Sequence, residues 1–381
     1  MRLLHLSDLH IGKRVNEFCM IEDQRHALEG IVRTIRERSI DALLIAGDLY
    51  DKSAPSAEAV ALVDWFLAEA AATGAQVLAI AGNHDSAERV AYASSLLARQ
   101  GVHLSPVYDG RIHAVELADE HGPVVFWLLP FLKPSLVRPF FPETAIASYT
   151  DALTAALSTC NLDTSLRNVV LSHQFVTWGA TEPERCDSEL NIGGVDNVDG
   201  RVYDDFDYVA LGHIHRPQRI GRPEMRYSGS LLKYSLSEIR GAKSTPLVEL
   251  GPKGSVAIEL VPIEPLHDMR SIRGPLEELV QPAVVQDVDP NDYLQVVLTD
   301  EHPPLNALDR LRAVYPNVMS LEYDNRRTRA RGIGDQALDD SFTERPLGEV
   351  FEEFYRLQND QELTDHQRTA VTAALEECEV H

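Results

Sequence analysis

Five apolar runs in this chain each stop at an aspartate or a histidine, and that coincidence restricts the fold more than any other feature. Gln76 to Ala81 closes on Gly82-Asn83-His84-Asp85, an apolar run broken by glycine into a polar turn, which reads as a buried strand with a tight exit. Leu3 to Leu6 leads into Ser7-Asp8-Leu9-His10, and Ala42 to Ala46 into Gly47-Asp48-Leu49-Tyr50-Asp51. Val169 to Ser172 ends in His173, and Tyr208 to Leu211 in Gly212-His213-Ile214-His215. Between the first three runs, Ala27, Leu28, Ile31, Val32 and Ile35 recur at helical spacing, as do Val60, Val63, Phe66 and Leu67 after Pro55-Ser56. Glu88 to Arg99 is expected to be a third helix. The order β-α-β-α-β-α predicts a largely parallel sheet covered by helices. Ligands of such sheets collect at the carboxyl ends of the strands, and there these acids and histidines fall.

The rest of the chain is less regular. Val102 to Leu132 alternates apolar and polar residues with breaks at Gly110 and Gly122, which predicts antiparallel strands on the far side of the sheet. Tyr149 to Leu157 is expected to be helical, Thr177 to Gly200 to be a loop near the site, and Arg226 to Leu231 and Leu247 to Val261 to be strands. Pro262 to Pro265 marks a domain boundary. Beyond it, Asp268 to Asp324 predicts a small second α/β unit: a helix, a strand at Tyr293 to Leu298, a helix at Leu305 to Val314 and a strand at Val318 to Tyr323. Arg326, Arg327, Arg329 and Arg331 form the densest basic cluster. The stretch from Pro346 onward carries nine acids against two arginines, yet Leu347, Val350, Phe351, Phe354 and Leu357 make a helical apolar stripe.

Composition excludes several classes. With 35 basic and 59 acidic residues the net charge is −24, which argues against coating nucleic acid by bulk electrostatics. A local metal pair can still reverse the field in a cleft. Cys19, Cys160, Cys186 and Cys378 are scattered with no CxxC pair, so neither a disulfide framework nor a thiolate zinc site is expected, and a reducing cytoplasm is. The start MRLLHLSD lacks signal-peptide anatomy. The longest uncharged apolar stretch, Val124 to Leu132, is far below a membrane span of roughly 20 residues, so no membrane partner is expected.

The strand ends supply Asp8, His10, Asp48, Asn83, His84, His173, His213 and His215. Nitrogen and carboxylate donors without thiolates suit manganese, iron or zinc. Two such ions at ~3.5–4 Å can clamp both oxygens of a phosphoryl displacement, with an aspartate bridging them. Any one strand-end aspartate or histidine is more often a turn former or cap; five together predict a dinuclear site. His5, His103, His113 and His121 have no such company and read as structural or surface residues, and Asp85 as a cap for the helix starting near Ser86.

The motifs DLH, GDLYD, GNHD, a lone histidine after VVLS, and GHIH occur here in the order of the calcineurin-like metallophosphoesterase superfamily, which the chain resembles from residue 1 to about 260. More narrowly, LLHLSDLHIGK, GDLYDKSAPS, VLSHQFV, YVALGHIHRPQ and RYSGSLLKYSLSE resemble the SbcD family of bacterial nuclease subunits, counterparts of the eukaryotic and archaeal break-repair nuclease. The resemblance implies an α/β fold: a β-sandwich flanked by helices over residues 1–265, a small α/β capping domain over 266–335, and a C-terminal helical docking segment over 336–381. It implies one metal on Asp8, His10, Asp48 and His215 and a second on Asp48, Asn83, His173 and His213, with manganese preferred. His84 would then not be a ligand, but would act beside the scissile phosphate, stabilising the transition state or protonating the leaving 3′ oxygen. Asp51 departs from archaeal and eukaryotic relatives, which carry a second histidine there, and agrees with the bacterial group.

The same resemblance implies 3′–5′ exonuclease and endonuclease action on double-stranded DNA ends and hairpins in recombination and repair. The partner would be the SMC-like ATPase SbcC, docked through the Leu347 to Leu357 stripe by helix-in-groove binding. A homodimer within a heterotetramer is expected through the helices flanking GNHD, with Leu62, Phe66, Tyr92 and Leu96 as candidate faces, and the arginine cluster as a DNA contact. Two other readings stand beside this one: a phosphoesterase acting on small phosphodiesters or phosphoproteins, and a structural adaptor with a vestigial site.

Overall fold

The computed structural model describes residues 1–186, 196–285, 289–326, 328, 351–356 and 361–378. They divide into two compact units, Met1–Asp268 and Met269–His381.

In the first unit, β1 (Arg2–Leu6), α1 (Ile21–Arg38), β2 (Ala42–Ala46), α2 (Ala57–Ala72), β3 (Gln76–Ile80) and β4 (Val102–Leu104) follow the alternation that the sequence predicts. Next come β5 (His113–Asp119), β6 (Gly122–Leu129), α3 (Tyr149–Leu157), β7 (Arg167–His173), β8 (Tyr208–Gly212), β9 (Gln218–Ile220), β10 (Arg222–Tyr227), β11 (Ser244–Leu250) and β12 (Val256–Pro262). Two six-stranded sheets result, ordered β12-β11-β1-β2-β3-β4 and β9-β10-β8-β7-β6-β5. The central strands β1 to β4 are parallel, as are β6, β7, β8 and β10, and the outer hairpins are antiparallel.

The sheets face one another across a core of Leu3, Leu44, Leu78, Val124, Phe126, Leu128, Val169, Leu171 and Tyr208. The other face of the second sheet buries Leu129, Val170, Val209 and Leu211 with Leu153 and Ala156 of α3. Helices α1 and α2 bury Leu28, Ile31, Val32 and Ile35, and Leu62, Val63 and Phe66. Strands covered on both faces read as unbroken apolar runs, which is why β2 is wholly buried. Helix α2 starts where Ser56 Oγ accepts the Ala59 amide, and α1 carries Glu22 and Asp23 in its first turn and Arg36 and Arg38 in its last, matching its dipole.

Several expectations are corrected. Val102–Leu104 joins the first sheet in parallel beside β3 instead of the antiparallel hairpin that follows. The expected helix from Glu88 to Arg99 breaks into Ala87–Val90 and Ser94–Leu97, because Ala93 adopts a left-handed φ of 57° and the segment has little apolar face to bury: Tyr92 and Leu96 are exposed. Leu62 and Phe66 are buried within their own core and present no face to a second copy. The strand read at Arg226 to Leu231 begins earlier, at Arg222, and stops at Tyr227.

In the second unit, β13 (Met269–Gly274), β14 (Tyr293–Leu298) and β15 (Val318–Tyr323) form a parallel sheet in that order, with helix Ala307–Arg312 in the last crossover. Leu276, Leu294, Val296, Leu298, Leu311, Tyr315 and Val318 make its core. The segment opens with a strand where a helix was expected, and short helices Leu276–Leu279 and Pro282–Val285 follow it. After the buried Met269, exposed positions alternate with half-buried ones through Gly274, the period of a half-covered strand. Residues 351–356 and Asp365–Cys378 are helical. Among the described residues, no helix is long and apolar enough to cross a membrane.

Candidate metal centre

Parallel pairing decides where the polar loops emerge. Leu6 lies opposite Ile45 and Ala46 opposite Ile80, so the loops carrying Asp8, Asp48 and Asn83 leave one edge of the first sheet. In the second sheet Gly212 lies opposite His173. The two edges meet closely at Gly212, where a Cβ would stand 2.0 Å from the Ala46 carbonyl oxygen and 2.7 Å from His173 Nδ1. Only glycine admits that approach.

Backbone geometry at this edge is unusual. Asp8, His10, Asp48 and His213 have φ of 51°, 44°, 53° and 99°, left-handed values that cost a non-glycine residue roughly 1–3 kcal/mol each. They persist because the loops are laced together: the Asp8 amide donates to the Gly47 carbonyl at 3.0 Å, His10 to Asp48 at 3.0 Å and Ile11 to Leu49 at 2.9 Å. Asp85 does not cap the following helix; Ser86 does, through its Oγ. Instead the Asp85 carboxylate accepts the amides of Gly82 at 2.9 Å, Leu49 at 3.1 Å and Tyr50 at 3.0 Å, tying the GNHD turn to the GDLY loop. Burial raises its pKa to about 6, helped by the nearby Asp48 charge.

The donor atoms converge on Asp48. Its Oδ2 lies 3.6 Å from His10 Nε2 and 3.2 Å from His173 Nε2, and its Oδ1 accepts the His84 amide at 2.8 Å. On one side, His10 Nε2 and His215 Nε2 are 3.1 Å apart. On the other, Asn83 Oδ1 sits 2.9 Å from His173 Nε2 and 3.0 Å from His213 Nδ1. Asp8 Oδ1 is 4.0 Å from both His10 Nε2 and His173 Nε2, and its two oxygens accept the His213 amide. Asp8-His10-His215 and Asp8-Asp48-His173 are each close enough to hold an ion, and His84 joins His10 and Asp48 in a third such group. Thus all seven expected ligands and His84 come together.

This donor set fits two divalent ions. Desolvation lowers the pKa of His10 and His213 to about 3 and drives His215 well below the usual imidazole range, so all three offer lone pairs. Burial pushes Asp8 up to about 6, a cost that a cation would remove. Burial would also raise Asp48, but His173 beside it carries that carboxyl below the usual range; His173 in turn is held up to about 9 against its own burial by Asp48. Where a buried carboxylate keeps a proton on a facing imidazole, a divalent ion can take the proton's place. The His173 Nδ1–H donates to the Ala46 carbonyl at 2.8 Å, which aims Nε2 at the cluster.

His84 stands at the exposed rim, its Nδ1–H donating to the Asp51 carbonyl at 3.0 Å and its ring edge-on to His10, 4.8 Å between centroids. His5, read as structural, is buried with Nδ1 2.9 Å from the Tyr208 hydroxyl. Sequence reasoning missed the scaffold behind the donors. Gln24 of α1 donates to the His10 carbonyl at 2.8 Å and to the Tyr234 hydroxyl at 2.9 Å, and that hydroxyl donates to the Leu9 carbonyl at 2.5 Å. Lys243 is buried and donates to the His215 carbonyl at 2.8 Å, Ser230 Oγ at 2.8 Å and Glu238 Oε1 at 2.5 Å. A lone lysine inside a strand approach carries no periodic signal; only its burial makes it visible.

In the second unit, Arg326 is exposed, with Nε 3.8 Å from Glu301 Oε1. Arg327, Arg329 and Arg331 lie outside the described residues, as do Leu347, Val350 and Leu357. Phe351 and Phe354 are described and exposed.

Comparison with known proteins agrees with this geometry. The family model for calcineurin-like phosphoesterases matches residues 1–217, and the model described as the Type 5 capsule protein repressor C-terminal domain matches residues 265–359. The chain is 31% identical over 329 residues to the SbcD component of the nuclease SbcCD from Staphylococcus epidermidis, covering 84% of this chain and 85% of that one. Among solved structures, a Thermus thermophilus protein matches with a TM-score of 0.38 at 13% identity, and a dimetal phosphatase from Danio rerio with 0.37 at 12%. Each match covers 69% of this chain and 99% of the other. The assignment rests on the family model and the Staphylococcus relative, not on these two.

Proposed function

This chain belongs to the calcineurin-like phosphoesterases and, among them, to the SbcD family of nuclease subunits, and on that footing we propose that it is a manganese-dependent DNA nuclease subunit. The observation that carries the reading is the convergence of donors from five loops and both sheets on Asp48, with an exposed imidazole beside them. In this reading Asp8, His10, Asp48 and His215 would hold one ion, and Asp48, Asn83, His173 and His213 the other. Bound there, two divalent ions supply positive charge to a phosphoryl group in displacement and activate water.

The chain's own residues do the rest. Asp48 sets the spacing, since the oxygen that faces His10 also faces His173. The His84 Nδ1–H is tied to the Asp51 carbonyl, so its Nε2 is the nitrogen left for a phosphodiester at the rim. There it protonates the leaving 3′ oxygen, worth typically 10²–10⁴-fold. The acidic surface makes substrate entry depend on the metal pair and on local cations; we assign Arg326, Arg327, Arg329 and Arg331 to DNA phosphates.

We divide the chain into a nuclease domain over 1–265, a capping domain over 266–335 and a docking segment over 336–381. In that segment Leu347, Val350, Phe351, Phe354 and Leu357 meet the coiled-coil base of an SbcC-type ATPase. The working form is a cytoplasmic heterotetramer built on a homodimer, cutting DNA ends and hairpins as a 3′–5′ exonuclease and an endonuclease. The exposure of Phe351 and Phe354 is compatible with that docking. The test is cleavage of linear and hairpin duplex DNA by the purified chain with manganese, with and without the ATPase. Hydrolysis of small phosphodiesters with DNA left intact would overturn the nuclease reading in favour of a different phosphoesterase.

A further inference from the structure

One ring nitrogen at the metal centre stands apart. His10 is almost wholly enclosed, and its Nδ1 is buried with no hydrogen-bond partner among the described residues. The corresponding far nitrogen of His173 is tied to a carbonyl at 2.8 Å. A buried ring nitrogen left unpaired costs about 1–3 kcal/mol, so its surroundings matter. In front of it, 3.9 Å away, is Asp51 Oδ1. That oxygen accepts from Lys13 Nζ at 2.9 Å, and the lysine lies over the Tyr234 ring, 5.6 Å from its centroid. The backbone of Asp51 is also held: its amide donates to the Ile11 carbonyl at 3.2 Å, and its carbonyl accepts from His84 Nδ1 at 3.0 Å.

We propose that Asp51 is a positioning residue for the metal centre: its carboxylate is the outer partner of His10 Nδ1–H. The inference rests on the dinuclear reading above. An imidazole bound to a cation through Nε2 has a more polarised Nδ1–H, and such ligands regularly donate it to a carboxylate. A shift of about 1 Å in the carboxylate or the ring brings 3.9 Å within hydrogen-bond range. Lys13 anchors that oxygen, and one carboxylate oxygen can accept from two donors. Asp51 therefore acts on the ion nearest His10. His213 and Asn83, across Asp48, have no part in it.

The test is stepwise calorimetric titration of the metal-free full chain with Mn²⁺, wild type against Asp51→Asn and Asp51→Ala. Both variants should weaken one of two binding steps by about 10–100-fold and leave the other within about twofold. Thermal unfolding of the metal-free proteins confirms that they are folded. In the Zn²⁺-loaded wild type, ¹⁵N NMR should show His10 metallated at Nε2 and protonated at Nδ1. Both steps unchanged, both weakened alike, or His10 metallated through Nδ1 would overturn the inference. A wild type that binds fewer than two ions would instead defeat the dinuclear reading beneath it, so the two failures are distinguishable.

Discussion

Gly82→Ala is the most demanding single-atom test of the packing around Asp48. A Cβ at position 82 would stand 2.2 Å from Asp48 Oδ1, 2.4 Å from the Asp48 backbone nitrogen and 2.7 Å from Asp48 Cγ. No rotamer change relieves contact with a backbone atom, so either the GNHD turn retreats or the GDLY loop does, by roughly 1 Å. Overpacking of that kind costs about 1–3 kcal/mol. The shift also breaks the charge-assisted bond from the His84 amide to Asp48 Oδ1, 2.8 Å long, worth about 1.5–3 kcal/mol. The nuclease unit should therefore lose about 2.5–6 kcal/mol in urea unfolding. On the proposed ligand sets the displaced carboxylate serves both ions, so both manganese binding steps should weaken. Gly30→Ala is the control: the glycine sits within α1 with nothing within 4 Å of the added methyl, and should stabilise by about 0.5–1 kcal/mol. A Gly82→Ala protein within about 0.5 kcal/mol of wild type, binding both ions normally, would refute the reasoning.

Two further expectations follow from particular residues. His84→Gln should lower DNA cleavage by about 10²–10⁴-fold at unchanged metal stoichiometry, measured by nuclease assay beside metal analysis; loss of an ion together with activity would make His84 a ligand. Burial, opposed in part by a backbone hydrogen bond and aided by Arg226, lowers the His5 pKa to about 3, against 6.5 unfolded. The native state thus favours the neutral ring, so stability is intact above pH 6.5 and falls as the unfolded chain takes up the proton below it. Between pH 6.5 and 5, His5→Gln should lose about 2 kcal/mol less than wild type in denaturant melts; equal losses would refute this.

The convergence of the candidate ligands is legible because each sits where a strand ends, and parallel pairing of β1, β2 and β3 brings Asp8, Asp48 and Asn83 to one edge. Continuous apolar runs such as Ala42 to Ala46 are equally plain, since burial on both faces leaves no polar position. The second sheet was harder to read: β6 pairs in parallel with β7 across an intervening helix, a long-range choice that local alternation does not encode. The broken helix after GNHD misled the reading because Ala91, Ala93, Ser94 and Ser95 are compatible with a helix, and only the left-handed Ala93 shows that none runs through. Support residues were invisible for a related reason. Gln24 reads as one more polar residue on α1, and Lys243 as a surface cation; each acquires meaning only from the carbonyl it meets, that of His10 or His215. Asp85 shows the reverse error, an aspartate placed well for capping and used instead to join two loops.

The central claim is that two divalent ions lie on either side of Asp48. Anomalous diffraction at the manganese edge from crystals of the full chain grown with Mn²⁺ measures it directly. The account predicts two peaks per chain, one among Asp8, His10 and His215 and one among Asn83, His173 and His213, both in contact with the Asp48 carboxylate. A single peak, or peaks that do not share Asp48, would contradict it.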